Sequence, residues 1–302
     1  MKYAVAVDVG GTNVRIGLVD ENYQLHAFEK RFREEIMVGE SPSDGLAEYI
    51  AEFLKKNANG LEVAAVAVGV PSTLDSTRRV VLSTPNIPGM DNLPLADILS
   101  EKLGIPAFIE RDVCMLFSND SIRYNVPEKG VAIGVYLGTG VGNAISIDGK
   151  LFVGANGAAG ELGHIPVLGD DSSCGCGNEG CIELYAGGKY LEKIAEENFD
   201  GVWIKKIFVE HGDSPEVQKY LETAACAIAT EINLLDPVAV VLGGGVPAME
   251  AFPHEELGRR VRNHTRKPYP EKTLKFIWSE DADMNGVIGG GIYAHKMLKE
   301  AK

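Results

Sequence analysis

The sequence has no apolar run that approaches the ~20 residues of a membrane-spanning helix, so we expect no membrane partner. It is also short of positive charge, with 29 Lys and Arg against 43 Asp and Glu and a net charge of −14. Since nucleic acids are bound through clustered Lys and Arg, this balance argues against a nucleic-acid partner. Low-complexity segments and evident linkers are absent as well, so composition marks no domain boundary.

Disulfide chemistry is not supported by the cysteine content. The five cysteines are an odd number, and three of them lie between residues 174 and 181. Such usage suits a reducing compartment better than a disulfide scaffold. A core strand begins almost at the first residue, so we expect no signal peptide and a cytoplasmic location. At 302 residues, 45% of them hydrophobic, the chain is long enough for two domains with real cores.

A histidine and three cysteines lie in one glycine-rich loop. His164 precedes Cys174 by ten positions, and Cys176 and Cys181 complete the set. One imidazole and three thiolates fill the tetrahedral coordination of a structural zinc ion and leave no position for a metal-bound water. We therefore predict a structural Zn²⁺ that holds the neighbouring carboxylates in place. The alternative is a loop of reduced cysteines that bind no metal, which the close spacing disfavours.

Residues 3–19 combine two apolar strands with a polar turn that contains glycine, Asp8-Val-Gly-Gly-Thr-Asn13. A Walker loop or a dinucleotide fingerprint leads from a strand into a helix, whereas these glycines lie at the bend of a predicted hairpin. Gly10 and Gly11 carry no side chain that would block a phosphate, so their amides can face one. Asp8 can bind Mg²⁺ directly or through water. The alternative is an ordinary hairpin turn without a ligand.

The same layout returns in residues 132–148, which align with residues 4–20 without a gap. The alignment places Gly138 opposite Gly10. We infer two related halves, each of which opens with a glycine-bent hairpin, although two such hairpins can also arise by coincidence. Two turns of this kind that face each other across a cleft could grip a polyphosphate from both sides.

Further polar residues follow predicted buried strands. The strand at 107–110 runs into Arg111 and Asp112, and residues 113–122 then have the pattern of a helix. Such a junction is a common place for a catalytic carboxylate, although an Asp there can equally be the N-cap of the helix. The strand at 238–242 ends in a glycine turn that suits close approach by a base or a ribose. Its glycines are Gly243, Gly244 and Gly245.

Hydrophobic periodicity predicts the main remaining elements. Helical spacing of apolar residues covers 43–57, 95–103 and 215–235, and a helix that starts with glycine closes the chain at 285–299. The continuous apolar run at 63–70 predicts a central buried strand. The segment at 83–89, between this strand and the helix at 95–103, is irregular and polar, and we expect Asn86 within it to face a substrate.

These motifs resemble those of the ROK family of sugar kinases, and the resemblance covers essentially the whole chain. Its most specific part is the Gly-His…Cys-x-Cys-Gly-x-x-Gly-Cys-x-Glu loop that ends at Glu183. The resemblance implies an α/β, two-domain actin-like ATPase (ribonuclease-H-like) fold with a zinc-binding loop. On this basis we expect a first domain at 1–118, rejoined by a C-terminal helix at 287–302, and a second domain at 119–286.

The resemblance also implies an activity, the ATP-dependent phosphorylation of a hexose with Mg²⁺, in a protein that forms a homodimer. Asp112 would be the catalytic base. Glu161, His164 and Glu183 would bind sugar hydroxyls, with His164 also a zinc ligand. ATP would be bound at two phosphate motifs and an adenosine turn. Their residues are Asp8, Gly10, Gly11 and Thr12, then Gly138, Thr139 and Gly140, and finally Gly243, Gly244 and Gly245.

Within the family, residues 83–88, 111–113 and 160–166 are similar to members that phosphorylate D-allose. D-Allose is therefore the expected hexose and D-allose 6-phosphate the expected product. Glucokinase members usually have an asparagine that binds ring hydroxyls where this chain has Arg111, which disfavours glucose and places Arg111 beside the sugar. Many members have Gly in place of Ser72.

The residues also leave alternatives open. The Arg111 side chain could turn outward into a salt bridge with Glu110 or Glu101. The substrate could be glucose or N-acetylmannosamine, because fold alone does not choose a sugar. A sugar-sensing repressor of this family would carry a helix-turn-helix module before the phosphate strand, and a partner-driven ATPase would have no use for the zinc loop.

Overall fold

The computed structural model describes residues 1–37, 39, 41–84, 87–280 and 282–300. Packing divides the chain into two compact units. The first comprises Met1–Asn125, Val153–Ala159 and Ala282–Lys302, and the second comprises Val126–Phe152 and Gly160–Asp281. Asn86, the predicted substrate-facing residue, lies outside the described residues. Among the described residues, none of the helices combines the length and the apolar composition that crossing a bilayer requires.

Strands and helices follow one another along the chain in short groups. Up to residue 125 they are β1 (Lys2–Val9), β2 (Asn13–Asp20), β3 (Leu25–Phe32), α1 (Arg33–Ile36), α2 (Pro42–Asn57), β4 (Glu62–Val70), β5 (Thr73–Leu74), β6 (Val81–Ser83), α3 (Leu95–Leu103), β7 (Ala107–Arg111) and α4 (Asp112–Arg123). From residue 126 they are β8 (Val131–Leu137), β9 (Val141–Ile147), β10 (Lys150–Leu151), α5 (Glu183–Ala186), α6 (Gly188–Asn198), α7 (Ile207–His211), α8 (Pro215–Leu235), β11 (Ala239–Gly243), α9 (His254–His264), β12 (Phe276–Trp278) and α10 (Asn285–Glu300).

A five-stranded sheet in the order β3-β2-β1-β4-β7 forms the centre of the first unit. β2 is antiparallel to both of its neighbours, whereas β1, β4 and β7 run parallel to one another. Val5 and Val7 of β1 belong to the apolar core that includes α2 and α3. Ala6 points to the other face, where a Cβ on Gly290 would lie 2.9 Å from its own Cβ. Small residues on both sides therefore let α10 lie close to the sheet.

The second unit repeats this sheet with the order β10-β9-β8-β11-β12. β9 is antiparallel to both of its neighbours, and β11 runs parallel to β8 and β12. The long helix α8 supplies much of the core through fully buried residues such as Tyr220 and Leu221. It starts after Ser214, whose side chain accepts the N–H of Val217, as a helix N-cap does. It ends at Asp236, which has a φ of 46°.

Most of the predicted elements are confirmed. The helix predicted at 215–235 has the bounds of α8, and Gly104 ends α3 in a left-handed conformation. The two glycine-bent hairpins are present, but their gap-free alignment is wrong by one residue across the turn. Val9 pairs with Val14, whereas Leu137 pairs with Val141. The first turn therefore holds one residue more than the second.

Three short features were not expected from the sequence pattern. β3 extends the first sheet, and α9 packs on α8 in the second unit. Residues Val153–Ala159, which we call the strap, belong to the first unit although both flanking segments belong to the second. The C-terminal helix α10 also belongs to the first unit, so this unit is assembled from three separate stretches of the chain.

Candidate active site

Asp112 is the first residue of α4 and directly follows the end of β7. Its Oδ1 accepts a hydrogen bond of 2.7 Å from the backbone N–H of Val113. Burial raises the pKa of Asp112 to about 7, and the charge of Asp8 adds to the rise. The N-cap position of α4 belongs to Arg111, so the alternative in which Asp112 caps the helix is wrong. A carboxylate with a pKa near neutrality is well suited to accept a proton.

Asp8 lies inside β1, where it pairs in register with Arg15 of β2. Arg15 Nη1 is 3.4 Å from Asp8 Oδ2, and Arg15 also forms an ion pair with Asp283. Burial nevertheless raises the pKa of Asp8 above its ordinary value, against the lowering effect of Arg15. Gly286 of α10 packs behind the carboxylate, since a Cβ there would lie 2.7 Å from Asp8 Cγ. The hard oxygen donors of Asp8 fit Mg²⁺.

The first glycine turn, from Gly10 to Thr12, connects β1 to β2. The N–H of Gly10 donates to the carbonyl of Asn13 at 2.8 Å, so it is engaged within the turn, in contrast to the prediction that it faces a phosphate. The space beside Gly11 is open, because a Cβ there would meet no atom within 4 Å. Thr12 is exposed. The turn thus leaves room for an anionic group next to Gly11.

The second glycine turn joins β8 to β9 and is fixed by the start of α6. The carbonyl of Gly138 accepts the N–H of Gly188 at 2.7 Å, and the carbonyl of Thr139 accepts the N–H of Lys189 at 3.1 Å. The carboxylate of Glu183 lies against Gly140, so a Cβ at this position would require the Glu183 side chain to move. The second phosphate motif and a predicted sugar-binding residue are therefore neighbours in the second unit.

The third glycine turn follows β11 and packs on the end of β8. Gly244 has a φ of 99°, and a Cβ on it would lie 2.6 Å from the carbonyl oxygen of Leu137. The same carbonyl accepts the N–H of Val246 at 2.9 Å. Since Leu137 immediately precedes Gly138, the predicted adenosine turn and the second phosphate turn lie side by side. Glycine is required at 244 both by its φ and by this close approach.

The four predicted zinc ligands come together in the second unit. The ligand atoms of His164, Cys174, Cys176 and Cys181 all lie within 4.8 Å of one another. Cys176 Sγ is 3.6 Å from Cys181 Sγ, and Cys174 Sγ is 3.8 Å from His164 Nδ1. Tetrahedral zinc with Zn–S distances of about 2.3 Å and a Zn–N distance of about 2.0 Å separates its ligand atoms by roughly 3.5–3.8 Å. The donor set and its spacing therefore fit Zn²⁺.

Two carboxylates lie on either side of His164. Its Nε2 is 3.7 Å from Glu161 Oε2, and its Nδ1 is 3.8 Å from Glu183 Oε1. Glu183 Oε1 also lies 3.6 Å from Cys174 Sγ. The side chains of Glu161, His164 and Glu183 are 37%, 27% and 27% exposed, so each can reach a ligand from solvent. They form one cluster, and His164 links it to the predicted zinc site.

Arg111 is buried, so the alternative in which its side chain turns outward is wrong. Its Nη2 donates to the carbonyl of Ala159, in the strap, at 2.8 Å and lies 3.7 Å from Cys114 Sγ. Ser72, the other departure from the family pattern, is buried with its Oγ 2.6 Å from Thr84 Oγ1. Both departures are thus built into the packing of the first unit.

Sequence reasoning missed Arg78. This residue is buried, and its Nε donates to Glu110 Oε2 at 3.1 Å. Its Nη1 donates to the carbonyl of Gly157, in the strap, at 2.8 Å. Arg78 lies in a polar stretch with no hydrophobic period and no motif, and nothing in that pattern separates it from the exposed Arg79 beside it.

Comparison with known proteins places these residues in a family context. The model of the ROK family matches residues 4–297. N-acetyl-D-glucosamine kinase from Vibrio cholerae is 31% identical over 303 residues, which cover 93% of this chain and 96% of the relative. Glucokinase from Thermotoga maritima is 27% identical over 271 residues, which cover 80% of this chain and 81% of the relative.

A solved structure gives the corresponding comparison of folds. The crystal structure of a ROK family glucokinase from Streptomyces griseus, in complex with glucose and AMPPNP, matches with a TM-score of 0.80 at 26% identity. The match covers 97% of this chain and 99% of that chain. Together with the two related sheets, it confirms the expected α/β, actin-like ATPase fold.

Proposed function

Because the chain belongs to the ROK family and is an ATP-dependent hexose kinase, we propose that it transfers the γ-phosphoryl group of ATP to the 6-hydroxyl of D-allose. The observation that carries the proposal is the position and titration of Asp112. Its carboxyl group stands at a strand-to-helix junction with a pKa raised to about 7. A general base works best when its pKa lies near the working pH.

In this reaction Asp112 accepts the proton of the sugar hydroxyl as that oxygen forms a bond to the γ-phosphorus, and the bond from this phosphorus to the bridging oxygen breaks to release ADP. Phosphoryl transfer needs little covalent help from the protein, so positioning and charge stabilisation supply most of the rate. The open space beside Gly11 and the exposed Thr12 receive phosphate oxygens in the first unit. Asp8 would hold Mg²⁺, which would neutralise charge on the triphosphate.

The second unit supplies the remaining nucleotide contacts. The turn at Gly138, Thr139 and Gly140 receives phosphate oxygens, and the adjacent turn at 243–245 accepts the adenosine. Both turns are held by hydrogen bonds. The turn at 243–245 is held by the N–H of Val246, which donates to the carbonyl of Leu137, and the turn at 138–140 is held by the N–H groups of Gly188 and Lys189 at the start of α6. A rigid turn loses little conformational entropy when it binds nucleotide, which favours affinity.

Glu161, His164 and Glu183 bind the sugar hydroxyls. A carboxylate accepts hydrogen bonds from neighbouring hydroxyls, and the two carboxylates flank the imidazole at 3.7 and 3.8 Å. His164 and the three cysteines would hold Zn²⁺, which would fix the loop that carries these three residues, as outer-shell partners commonly orient the groups around a metal site.

The choice of D-allose rests on Arg111. D-Allose is the epimer of D-glucose at one ring carbon, so a change in one hydrogen-bonding side chain can separate the two sugars. Arg111 stands directly before Asp112 and is buried, with its guanidinium held by the strap. A guanidinium donates hydrogen bonds only, whereas an asparagine amide both donates and accepts. The relatives favour a second candidate, N-acetyl-D-glucosamine, because the Vibrio cholerae relative at 31% identity is named for that sugar.

A coupled assay with ATP and Mg²⁺ decides between these sugars. The panel contains D-allose, D-glucose, D-mannose, N-acetyl-D-glucosamine and N-acetylmannosamine. We expect the highest kcat/KM with D-allose and, in Arg111→Asn, a shift of preference toward D-glucose. A higher kcat/KM with N-acetyl-D-glucosamine would replace the first candidate by the second. ATP hydrolysis at the same rate with and without every sugar would overturn the kinase mechanism.

A further inference from the structure

Arg78 is a buried arginine in the turn between β5 and β6. Its φ is 56°, a conformation that non-glycine residues rarely adopt. Asp75 builds this turn, since its Oδ1 accepts the N–H groups of Arg79 and Val80 at 2.9 and 2.8 Å. The turn directs the two arginines differently. The Arg78 side chain is 9% exposed, whereas the Arg79 side chain is 46% exposed.

The Arg78 guanidinium makes two contacts that reach different segments. Nε donates to Glu110 Oε2 at 3.1 Å, and Nη1 donates to the carbonyl of Gly157 at 2.8 Å. Glu110 is almost wholly buried, and burial raises its pKa, with Arg78 as the largest opposing influence. A buried carboxylate without a cation is strongly unfavourable. Arg78 therefore offsets part of the cost of burying the Glu110 carboxyl group and joins it to the strap.

Glu110 transmits this contact to the residues that precede α4. Its other oxygen, Oε1, accepts the backbone N–H of Arg111 at 2.8 Å. Asp112 follows immediately, so the Glu110 carboxylate fixes the backbone from which the base projects. The Arg111 side chain in turn donates to the carbonyl of Ala159 at 2.8 Å. Two arginines thus donate hydrogen bonds to two carbonyls of the strap. The Glu110 carboxylate contacts both of them, Arg78 through its side chain and Arg111 through its backbone N–H.

The strap leads directly into a predicted sugar-binding segment. Glu161 follows Ala159 by two residues, and His164 comes three residues after that. Within the strap, the N–H of Ala159 donates to the carbonyl of Val153 at 3.1 Å. At Gly157 a Cβ would collide with the carbonyl oxygen of Leu74, so the strap packs closely against the end of β5 within the first unit. Its end is therefore fixed by contacts and not only by chain connectivity.

We infer that Arg78 is a positioning residue for sugar phosphorylation, acting through Glu110 and the strap without contact to the sugar. This inference rests on the proposed function, because it takes Asp112 as the base and Glu161 as a sugar ligand. The inference predicts that a mutation of Arg78 affects use of the sugar and not binding of ATP. Loss of the Arg78 contacts loosens the strap and the Glu110 carboxylate that fixes the backbone before the base, and it leaves the glycine turns proposed to bind ATP untouched. Misplacement of reacting groups by about 1 Å can cost on the order of 10²-fold in rate.

The test compares Arg78→Lys with Arg79→Lys. Lysine keeps the charge, but its single ammonium group lacks the fork that reaches Glu110 and Gly157 together. We expect Arg78→Lys to raise the KM for the sugar about tenfold and to lower kcat, with the KM for ATP within about twofold of wild type. Arg79→Lys, whose side chain pairs with Asp97 at the surface, should match wild type in all three constants.

Amide hydrogen exchange gives a readout that does not depend on activity. In the sugar-free protein, residues 153–161 should exchange faster in Arg78→Lys than in Arg79→Lys. If Arg78→Lys fails to fold, Arg78→Met combined with Glu110→Gln removes the contact without leaving a buried charge, and the same changes are expected. An unchanged sugar KM or unchanged exchange of the strap would overturn the inference. A wild-type protein that phosphorylates no hexose would overturn the proposed function instead, and exchange would still test the strap.

Discussion

Asp112 lies near enough to Asp8 for the charge of Asp8 to add to the effect of burial, and together they raise the pKa of Asp112 to about 7. Since the base must be deprotonated to accept the sugar proton, kcat/KM for the sugar should rise with pH through about 7. Below that value it should fall about tenfold for each pH unit. Steady-state kinetics from pH 5.5 to 8.5 measure this, and a profile that is flat from pH 6 to 8 would contradict it.

Asp112→Asn tests the base directly. The amide keeps the size of the side chain but cannot take up the proton, so we expect kcat to fall by ~10²–10⁴-fold. The sugar Kd, measured by calorimetry, should stay within about threefold, because the proposed hydroxyl ligands are other residues. Asp97→Asn on α3 is the matched control and should keep wild-type kcat. Near-normal kcat in Asp112→Asn would remove Asp112 from the mechanism.

Removal of a zinc ligand should affect sugar binding and stability together. In Cys176→Ala we expect the purified protein to lose its bound zinc, its Tm to fall and its sugar KM to rise, because the metal fixes the loop that carries Glu161, His164 and Glu183. Elemental analysis measures the metal. Cys114, in α4, belongs to neither group of candidate metal ligands among the described residues, so the control Cys114→Ala should retain the zinc. Equal zinc content in the two variants would contradict the assignment.

The sequence was sufficient to predict the parts of this fold that follow from local pattern. β1 and β4 are continuous apolar runs because both of their faces are buried, and α8 carries an apolar face over its full length. The grouping of the four predicted zinc ligands could also be predicted, because a metal site demands particular residue types at close spacing. Their ligand atoms meet in the structure as the spacing predicts.

Other features depend on contacts that no local pattern records. β3 has a mixture of half-buried and exposed residues because it is an edge strand, so its apolar signal is weak. Arg78 is buried only because the turn built by Asp75 directs it to Glu110, which lies 32 positions away in sequence. The engaged amide of Gly10 likewise depends on the backbone geometry of its turn. The roles of such residues become visible only when the tertiary structure is known.

Gly11→Ala tests whether glycine at this position is required for nucleotide binding and not for folding. A methyl group at this position would meet no atom within 4 Å, so Tm should stay within about 1–2 °C of wild type. If a phosphate approaches there, the methyl group should raise the KM for ATP about tenfold or more. Gly175→Ala, in an equally open place in the predicted zinc loop, should leave the KM for ATP unchanged. An unaltered KM for ATP in Gly11→Ala would contradict the phosphate role.

Glu231 gives a prediction for stability that does not involve the site. It is buried in α8, where its Oε2 accepts a hydrogen bond from Asn143 at 2.8 Å, and burial raises its pKa to about 8. The folded state therefore binds this proton more tightly than the unfolded state, whose carboxyl titrates near 4.5. The stabilising effect is complete below about pH 4.5 and is lost as the pH rises through about 8, at about 1.4 kcal/mol per pH unit between them.

Glu231→Gln should remove this dependence, because an amide keeps an oxygen for Asn143 and has no proton to lose. We expect the variant to have a higher Tm than wild type at pH 8.5 and a similar Tm at pH 5, since the wild-type carboxyl must lose its proton only at the higher pH. Thermal unfolding at the two pH values measures the difference. Glu192→Gln on α6, where the side chain is exposed, should change neither Tm. A Glu231→Gln variant with the same pH dependence as wild type would show that Glu231 ionises in the folded protein as it does in the unfolded chain.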